Sequence, residues 1–185
     1  VLAGGVEHMG RHPMGFDADP NPRFLSEKLV SPDALNMGCT AEKIHDRFPA
    51  LTKDRADAFA VSSQQKAARA YEDNKIQPDL ISVSAGSDAG WSLVSQDELM
   101  RPESTIEGMQ GLKTPFRAHG KVTAGNASPL TDGATVALLA GERALAKHGL
   151  KPKMKLVSFG FAGVAPEIMG IGPIPATEKA LEKAG

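Results

Sequence analysis

The sequence is poor in several features, and each shortage excludes a class of protein. Cys39 is the only cysteine among 185 residues, so an internal disulfide is excluded and a reducing cytoplasm is the expected compartment. No apolar run approaches the roughly 18 residues of a membrane span, and no secretory signal pattern opens the chain. A formal net charge of −1 favours neither nucleic acid nor an anionic membrane. We therefore expect a cytoplasmic protein with no nucleic-acid partner and no membrane partner.

The composition is that of an ordinary folded protein. Hydrophobic residues make up 41% and charged residues 23%, and the length suffices for one domain with a real core or for two small ones. The chain opens directly in an apolar run at Val1 and stops at Gly185, where a helix would be capped. These ends favour a fragment of a longer protein.

Hydrophobic periodicity predicts alternating strands and helices. The strongest helix spans residues 52–75, with a stripe of small residues and aromatics on one face: Ala56, Phe59, Ala60, Ser63, Ala67, Ala70 and Tyr71. Other helices are predicted at residues 41–48 after a Thr40 cap, at 133–148 before a Gly149 cap, and from Thr177 onward, with a short helix or turn at 102–112. Strands are predicted at residues 1–3, before a Gly-Gly turn, and at 79–85, 121–124 and 156–163, and a rigid turn at 170–175.

This alternation of apolar strands with helices indicates an α/β layered fold. Residues 10–120 are rich in loops and stand between two predicted core strands. We interpret them as a long insertion, with residues 1–9 and 121–185 belonging to the core.

Residues 125–133, GNASPLTDG, form the most informative loop, and we call them the hinge. Gly125 and Gly133 permit close backbone approach, and short polar side chains between them bond local backbone. Thr131 or Asp132 would cap the predicted helix, whose N-terminus carries partial positive charge. Such a strand–loop–helix junction suits a polar or anionic ligand group. A capped tight turn without a ligand explains the same residues equally well.

Six blocks, in order along almost the whole chain, resemble the thiolase family. They are AGGVEHM (3–9), NMGCTAE (36–42), DAFAVSSQQKAARA (57–70), DELMRPESTIEGMQGLKTPF (97–116), VTAGNASPLTDGA (122–134) and MGIGPIPATEKAL (169–181). The fifth is nearly the thiolase pattern V-T-A-G-N-x-S-x-x-x-D-G-A, and the last is nearly M-G-x-G-P-x-P-A-x-x-K-A-L. The chain thus resembles an acetyl-CoA acetyltransferase or a 3-ketoacyl-CoA thiolase.

The resemblance implies a partial thiolase-like α/β layered fold. Residues 1–9 would end the core of the N-terminal half, residues 10–120 would be its coenzyme A-binding loop domain, and residues 121–185 would complete that half. The C-terminal half would be absent. The implied activity is acyl transfer between a cysteine and coenzyme A (CoA) in fatty-acid or ketoacyl-CoA metabolism, with acyl-CoA as substrate and no metal. The full-length protein would be a homodimer or homotetramer.

The resemblance assigns no catalytic residue to this chain. In thiolases the nucleophilic cysteine lies in a C-x-S stretch before the first block, and the N-E-A-F, G-H-P and C-x-G motifs follow the last. We therefore predict that the 185-residue chain alone cannot perform thiolysis or condensation. Cys39 is interpreted as structural or incidental, because the family has no nucleophile there. The segment GRHPMG (10–15) imitates G-H-P but is interpreted as an exposed proline turn; His12 could still face a subunit partner.

Six residues match family positions that contact CoA or its acyl group. The resemblance implies a pantetheine contact for Ser128 and for the backbone of Ala124, a channel wall at Met37, an acyl pocket at Met169, an ADP contact for Arg101, and an adenine contact for Leu112. The alternatives are a turn serine at Ser128, ordinary packing for the methionines, and a solvated surface arginine. Asn36 stands where many thiolases have histidine, and Gly108 where some have serine.

A cluster of basic residues accompanies these positions and could form a positive rim for anionic CoA: Arg101, Lys113, Arg117, His119 and Lys121. Two alternative functions remain. One is a non-catalytic, thiolase-like acyl-CoA or lipid-binding protein. The other is an α/β phosphate- or nucleotide-binding module that uses the hinge, although neither a P-loop nor a G-x-G-x-x-G fingerprint is present.

Overall fold

The computed structural model describes residues 1–13, 15–17 and 19–185. Its α-helices and strands, in chain order, are β1 Leu2–Glu7, α1 Arg23–Ser26, α2 Met37–Arg47, α3 Lys53–Glu72, β2 Val83–Ser87, β3 Gly90–Val94, α4 Ile106–Gln110, β4 Gly133–Leu138, α5 Glu142–His148 and α6 Pro173–Ala184. Short 3₁₀ turns lie at Pro32–Leu35, Gln77–Asp79 and Pro166–Ile171. Among the described residues, no helix combines the length and apolar character that crossing a membrane requires.

The chain forms two compact units. The first comprises Val1–Ile44 with Leu130–Gly185, and the second comprises His45–Pro129. The predicted division into core residues 1–9, an inserted loop domain at residues 10–120 and core residues 121–185 stays a prediction.

The first unit contains an antiparallel ribbon of β1 and β4. Leu2 pairs with Leu138 at one end and Glu7 with Gly133 at the other. The strand therefore runs straight through Gly4 and Gly5, and the predicted Gly-Gly turn is wrong. A Cβ added at Gly4 would overlap the carbonyl oxygen of Thr135, so glycine there lets the two backbones approach closely.

The predicted helix over residues 133–148 is only half correct. Its first six residues form β4, and the helix is limited to α5. Pairing with β1 outweighs the moderate helix preference of the Ala- and Leu-rich stretch, which also contains β-branched Thr135 and Val136. The predicted cap is confirmed, because Gly149 has a φ of 62° in the left-handed region.

Helix α2 begins earlier than predicted. The side-chain Oδ1 of Asn36 accepts hydrogen bonds from the backbone N–H of Gly38 at 2.9 Å and of Cys39 at 3.3 Å, which is the role of an N-cap. Thr40 is therefore not the cap; its hydroxyl donates back to the carbonyl of Met37 at 2.8 Å. Asn36 departs from the thiolase pattern, and in this chain it has a structural role as the N-cap of α2.

The predicted buried strand over residues 156–163 is wrong. No described residue pairs with it as a strand, and Phe161 is 80% exposed. The segment instead lies along α6, where Ser158 Oγ donates to the Ala180 carbonyl at 2.5 Å and Lys179 Nζ to the Phe161 carbonyl at 3.2 Å. Helix α6 starts at Pro173 rather than Thr177, because proline fits the first position of a helix. The predicted rigid turn over 170–175 is thus divided between a 3₁₀ turn and α6.

The second unit is built around α3, which confirms the strongest helix prediction. Thr52 caps it by accepting a hydrogen bond from Arg55 N–H at 3.3 Å. Its buried residues are Asp57 and Val61, whereas Phe59 is 78% exposed, so the predicted packing stripe is rotated about the helix. The buried face was predicted from small and aromatic residues, so a polar residue such as Asp57 was not expected on it.

Of two further predictions in this unit, the strand is correct in part and the short helix is confirmed. The strand predicted at residues 79–85 begins only at Val83, and it pairs with β3, which the pattern did not reveal. The short helix near residues 102–112 is confirmed as α4, with Thr105 as its cap at 3.1 Å from Gly108 N–H.

The close approach in the β1–β4 ribbon gives a matched test. Gly4→Ala should lower the free energy of unfolding by about 1–3 kcal/mol, because its Cβ would meet backbone that cannot rotate away. Gly5→Ala is the control, since a Cβ there meets nothing within 4 Å. Urea unfolding monitored together with amide exchange of β4 measures both variants. Equal effects of the two substitutions would contradict the register.

Candidate functional site

A tight turn formed by residues 123–126 overlaps the first two residues of the hinge, and we call it the hinge turn. The Asn126 backbone N–H donates to the Thr123 carbonyl at 3.3 Å, and the Thr123 N–H donates to Asn126 Oδ1 at 2.8 Å. Gly125 N–H also reaches Thr123 Oγ1 at 3.3 Å. The predicted strand over residues 121–124 is wrong for this reason, since these local bonds occupy backbone groups that a strand ladder would need. The turn leaves Ala124 exposed while Thr123 is buried.

A buried polar cluster lies against this turn. The carboxylate of Asp57, which is 0% exposed, accepts a hydrogen bond from Asn126 Nδ2 at 2.8 Å and pairs with Lys53 Nζ at 2.5 Å. Asn126 Nδ2 also donates to the Lys121 carbonyl at 2.8 Å, and Lys53 Nζ to the Met109 carbonyl at 3.0 Å. The sequence suggested no such cluster, because Lys53 and Asp57 have the i, i+4 spacing of an ordinary exposed ion pair on a helix.

Gly125 brings the turn against the end of α4. A Cβ at this position would overlap the sulfur of Met109 and come within 2.6 Å of Leu112 Cδ1. The predicted adenine-contacting residue, Leu112, therefore lies directly beside the hinge turn. Its side chain stays partly exposed.

The remainder of the hinge does not lead into a helix. Ser128 is exposed two residues after the turn, and the chain then enters β4. Asp132 accepts a hydrogen bond from Met9 N–H at 2.7 Å and pairs with His8 Nδ1 at 2.9 Å. Its predicted role as a helix cap is wrong, and so is the argument that a helix N-terminus attracts an anion to the hinge.

Arg101 is anchored to α3 through its backbone. Its N–H donates to Gln64 Oε1 at 2.7 Å, while its guanidinium Nη1 donates to the carbonyls of Glu98 at 2.8 Å and Met100 at 2.9 Å. These bonds hold the Arg101 backbone and one nitrogen of its guanidinium, and the residue remains exposed.

The neighbouring segment is fastened by the pair of Tyr71 and Asp97. The phenol hydroxyl donates to Asp97 Oδ2 at 2.6 Å and accepts from the Asp97 N–H at 3.1 Å. The bond to the carboxylate raises the pKa of Tyr71, because only the protonated phenol can donate this hydrogen bond.

Part of the predicted positive rim is already neutralised. The Arg117 guanidinium binds Asp46 through two hydrogen bonds of 2.7 and 2.8 Å. This bidentate contact holds the pKa of the Asp46 carboxyl below its usual value. Lys121 Nζ lies 3.5 Å from the His45 carbonyl. The rim therefore offers less positive charge than the sequence count suggests.

Met37 and Met169 belong to the first unit. Both side chains are exposed, at 66% and 47%. The 3₁₀ turn that precedes Met37, Pro32–Leu35, packs against the turn that carries Met169, Pro166–Ile171. Their segments are thus neighbours within that unit, while the roles of the two methionines stay a prediction.

The interpretations of Cys39 and of the segment 10–15 stay predictions. Cys39 is half-buried in α2. In the segment 10–15, Met14 lies outside the described residues, and Phe16 N–H donates to the Pro13 carbonyl at 2.9 Å in agreement with a turn. His12 is exposed, with its ring edge-on to Phe16 at a centroid distance of 5.9 Å.

Comparison with known proteins identifies the family. Residues 1–143 match the family described as "Thiolase, N-terminal domain". The whole chain aligns at 37% identity with the 3-oxoadipyl-CoA/3-oxo-5,6-dehydrosuberyl-CoA thiolase of Escherichia coli K12, over 50% of that protein. It aligns at 41% with a 3-ketoacyl-CoA thiolase of Saccharophagus degradans, over 47% of that protein.

A solved structure agrees with these relatives. Human mitochondrial 3-ketoacyl-CoA thiolase superposes with a TM-score of 0.84 at 32% identity, covering 100% of this chain and 49% of that one. The chain therefore belongs to the thiolase family and has part of the thiolase-like layered α/β fold, which confirms both sequence predictions. The chain spans about half the length of the curated relatives that it matches.

The Tyr71–Asp97 bond predicts a measurable pH dependence. Because the pKa of Tyr71 is raised above 10.0 in the folded chain, this bond's contribution to stability is complete below that value and is lost as the pH rises through the folded pKa. Tyr71 is the only tyrosine, so ultraviolet difference absorbance follows it alone. Asp97→Asn should lower its midpoint, whereas Asp73→Asn, in an exposed pair with Lys75, should not. An unchanged midpoint in Asp97→Asn would contradict the assignment.

The contact at Gly125 predicts an unequal response of the two hinge glycines. Gly125→Ala should destabilise the chain by about 1–3 kcal/mol, since Met109 and Leu112 must both move to admit a methyl group. Gly133→Ala is the matched control, because its Cβ would meet nothing within 4 Å. The measurement is the free energy of unfolding in urea. A tolerated Gly125→Ala in which the methyl resonances of Met109 and Leu112 do not shift would show that the turn does not lie against α4.

Proposed function

We propose that this chain supplies the CoA-binding part of a thiolase, an acyl-CoA C-acyltransferase of fatty-acid or ketoacyl-CoA metabolism. The observation that carries the proposal is the contact of the hinge turn with Leu112 through Gly125. It brings Ala124 near Leu112, with Ser128 following closely along the chain. The relatives named as CoA thiolases support the same ligand.

The exposed groups suit the chemistry of CoA. The pantetheine arm is a narrow chain of methylene and amide groups, which requires accessible backbone and a few well-placed polar atoms. Ala124, with only a methyl side chain, leaves its backbone open to the ligand, and the Ser128 hydroxyl can exchange a hydrogen bond with it. Leu112 offers apolar area to adenine. Arg101 retains guanidinium N–H groups for the phosphates, since only Nη1 donates to the neighbouring carbonyls.

Other parts of the proposal rest on the family resemblance. Met37 would form a wall of the channel and Met169 part of the acyl pocket. Residues 10–120 would correspond to the loop domain of a full thiolase, and that protein would be a homodimer or homotetramer. No metal takes part in the proposed reaction.

The chemical step would need groups that this sequence does not supply. Acyl transfer requires a cysteine thiolate, a histidine to activate it, a second cysteine for proton transfer and an oxyanion hole. The 185 residues contain none of the corresponding thiolase motifs. The proposed part of this chain is therefore to bind and orient CoA, and the cysteine that accepts the acyl group would come from other sequence.

Ser128 provides the test of this function. Isothermal titration of the 185-residue chain with CoA should show saturable binding that ATP and NAD do not compete for. Ser128→Ala should raise the Kd about fivefold, which corresponds to one lost hydrogen bond of about 1 kcal/mol. Ser92→Ala, exposed in β3, is the control. An unaltered Kd would remove Ser128 from the site.

The same titration separates the alternatives. Competition by ATP or NAD would favour a nucleotide-binding module. Binding of fatty acids without any response to CoA would favour a lipid-binding protein, and either result would overturn the proposed function.

A further inference from the structure

We propose that Asp57 is a positioning residue for CoA: through Asn126 and Lys53 it sets both the shape of the hinge turn and the place of Leu112 beside it. This inference rests on the proposed function, because it concerns how the same site is held ready. Asp57 itself is 0% exposed and would not touch the ligand.

The first step concerns Asn126, whose side-chain oxygen and both amide hydrogens are hydrogen-bonded. Its Nδ2 donates to Asp57 Oδ1 and to the Lys121 carbonyl, both at 2.8 Å, and its Oδ1 accepts from Thr123 N–H at 2.8 Å. A flipped amide would point its oxygen at two acceptors and its NH₂ at a donor. The carboxylate therefore helps to select the one amide orientation that closes the turn.

The second step concerns the other carboxylate oxygen. Asp57 Oδ2 pairs with Lys53 Nζ at 2.5 Å, and the same ammonium group donates to the Met109 carbonyl at 3.0 Å. This bond holds the end of α4, where Met109 and Leu112 press on Gly125. One carboxylate thus connects the hinge turn with the apolar residue proposed to contact adenine.

The third step is energetic. A buried charge is tolerated only with partners, so the cluster is strongly stabilised in one arrangement and penalised in others. A site held in its binding conformation before the ligand arrives loses less conformational entropy on binding. Disrupting Asp57 should therefore weaken CoA binding although no contact with the ligand is removed.

The test is Asp57→Asn in the 185-residue chain, with two readouts: the Kd for CoA by titration and the amide exchange of residues 123–126 by NMR. We expect a Kd about tenfold higher, of the order of one lost buried hydrogen bond to a charged group. We also expect faster exchange in the turn, while the amides of the second half of α3 keep their parental protection. Asp73→Asn, which breaks an exposed ion pair on Lys75, is the control and should leave both readouts unchanged.

Asn126→Ala is the second variant, and it can still overturn the inference if Asp57→Asn does not fold. It removes the bond to Asp57 together with the bonds to the Lys121 carbonyl and from the Thr123 N–H, and it leaves the pair of Lys53 and Asp57 in place. We expect the same rise in Kd and the same local exchange. A folded Asp57→Asn or Asn126→Ala chain with parental turn exchange and parental Kd would overturn the inference, and so would a loss of protection spread evenly over α3 and the turn.

The two proposals fail in different ways. If the parental chain does not bind CoA, the proposed function is wrong, whereas the exchange of residues 123–126 in the variants still decides whether Asp57 positions the turn. If the parental chain binds CoA and both variants bind equally well, the proposed function stands and the positioning role is wrong.

Discussion

The hydrogen bond between the buried Asp57 carboxylate and the Asn126 amide is the constraint on which the arrangement of the second unit depends. Its 2.8 Å contact joins a helix to a loop 69 positions further along the chain. Apolar contacts such as those of Val61 and Met109 can adjust by small shifts, but a buried polar group must find its partners or destabilise the fold. The path of the backbone at residues 123–126 follows from this requirement.

Local chemistry made part of the fold predictable. Helix α3 combines a long periodic pattern with a threonine cap, and Gly149 ends α5 in the left-handed conformation that glycine adopts most readily. Strand β4 was not predictable in this way, because its Ala- and Leu-rich sequence favours a helix until it is paired with β1, more than a hundred residues earlier. The strand predicted over residues 156–163 was wrong for the opposite reason. An apolar pattern gives a strand only where a neighbouring strand pairs with it, and no described strand pairs with this segment.

The candidate site shows the same division. The thiolase-like motifs identified the family, and the structure then placed Leu112 beside Gly125, a contact that motif spacing alone does not contain. The electrostatic argument from a helix N-terminus was wrong, because the hinge leads into β4. What distinguishes the hinge is a turn that is closed by its own side chains and held by the buried carboxylate of Asp57, which pairs with Lys53. Sequence could not reveal this support, since Lys53 and Asp57 have the spacing of a surface pair.

The solvent exchange of the Asn126 side-chain amide protons tests most directly whether Asp57 holds the hinge turn, and heteronuclear NMR of the unmodified chain can measure it. Two donated hydrogen bonds, to Asp57 and to the Lys121 carbonyl, predict that these protons exchange far more slowly than those of an exposed asparagine such as Asn21. Exchange of the Asn126 amide as fast as that of Asn21 would contradict the claim that a buried carboxylate holds the hinge.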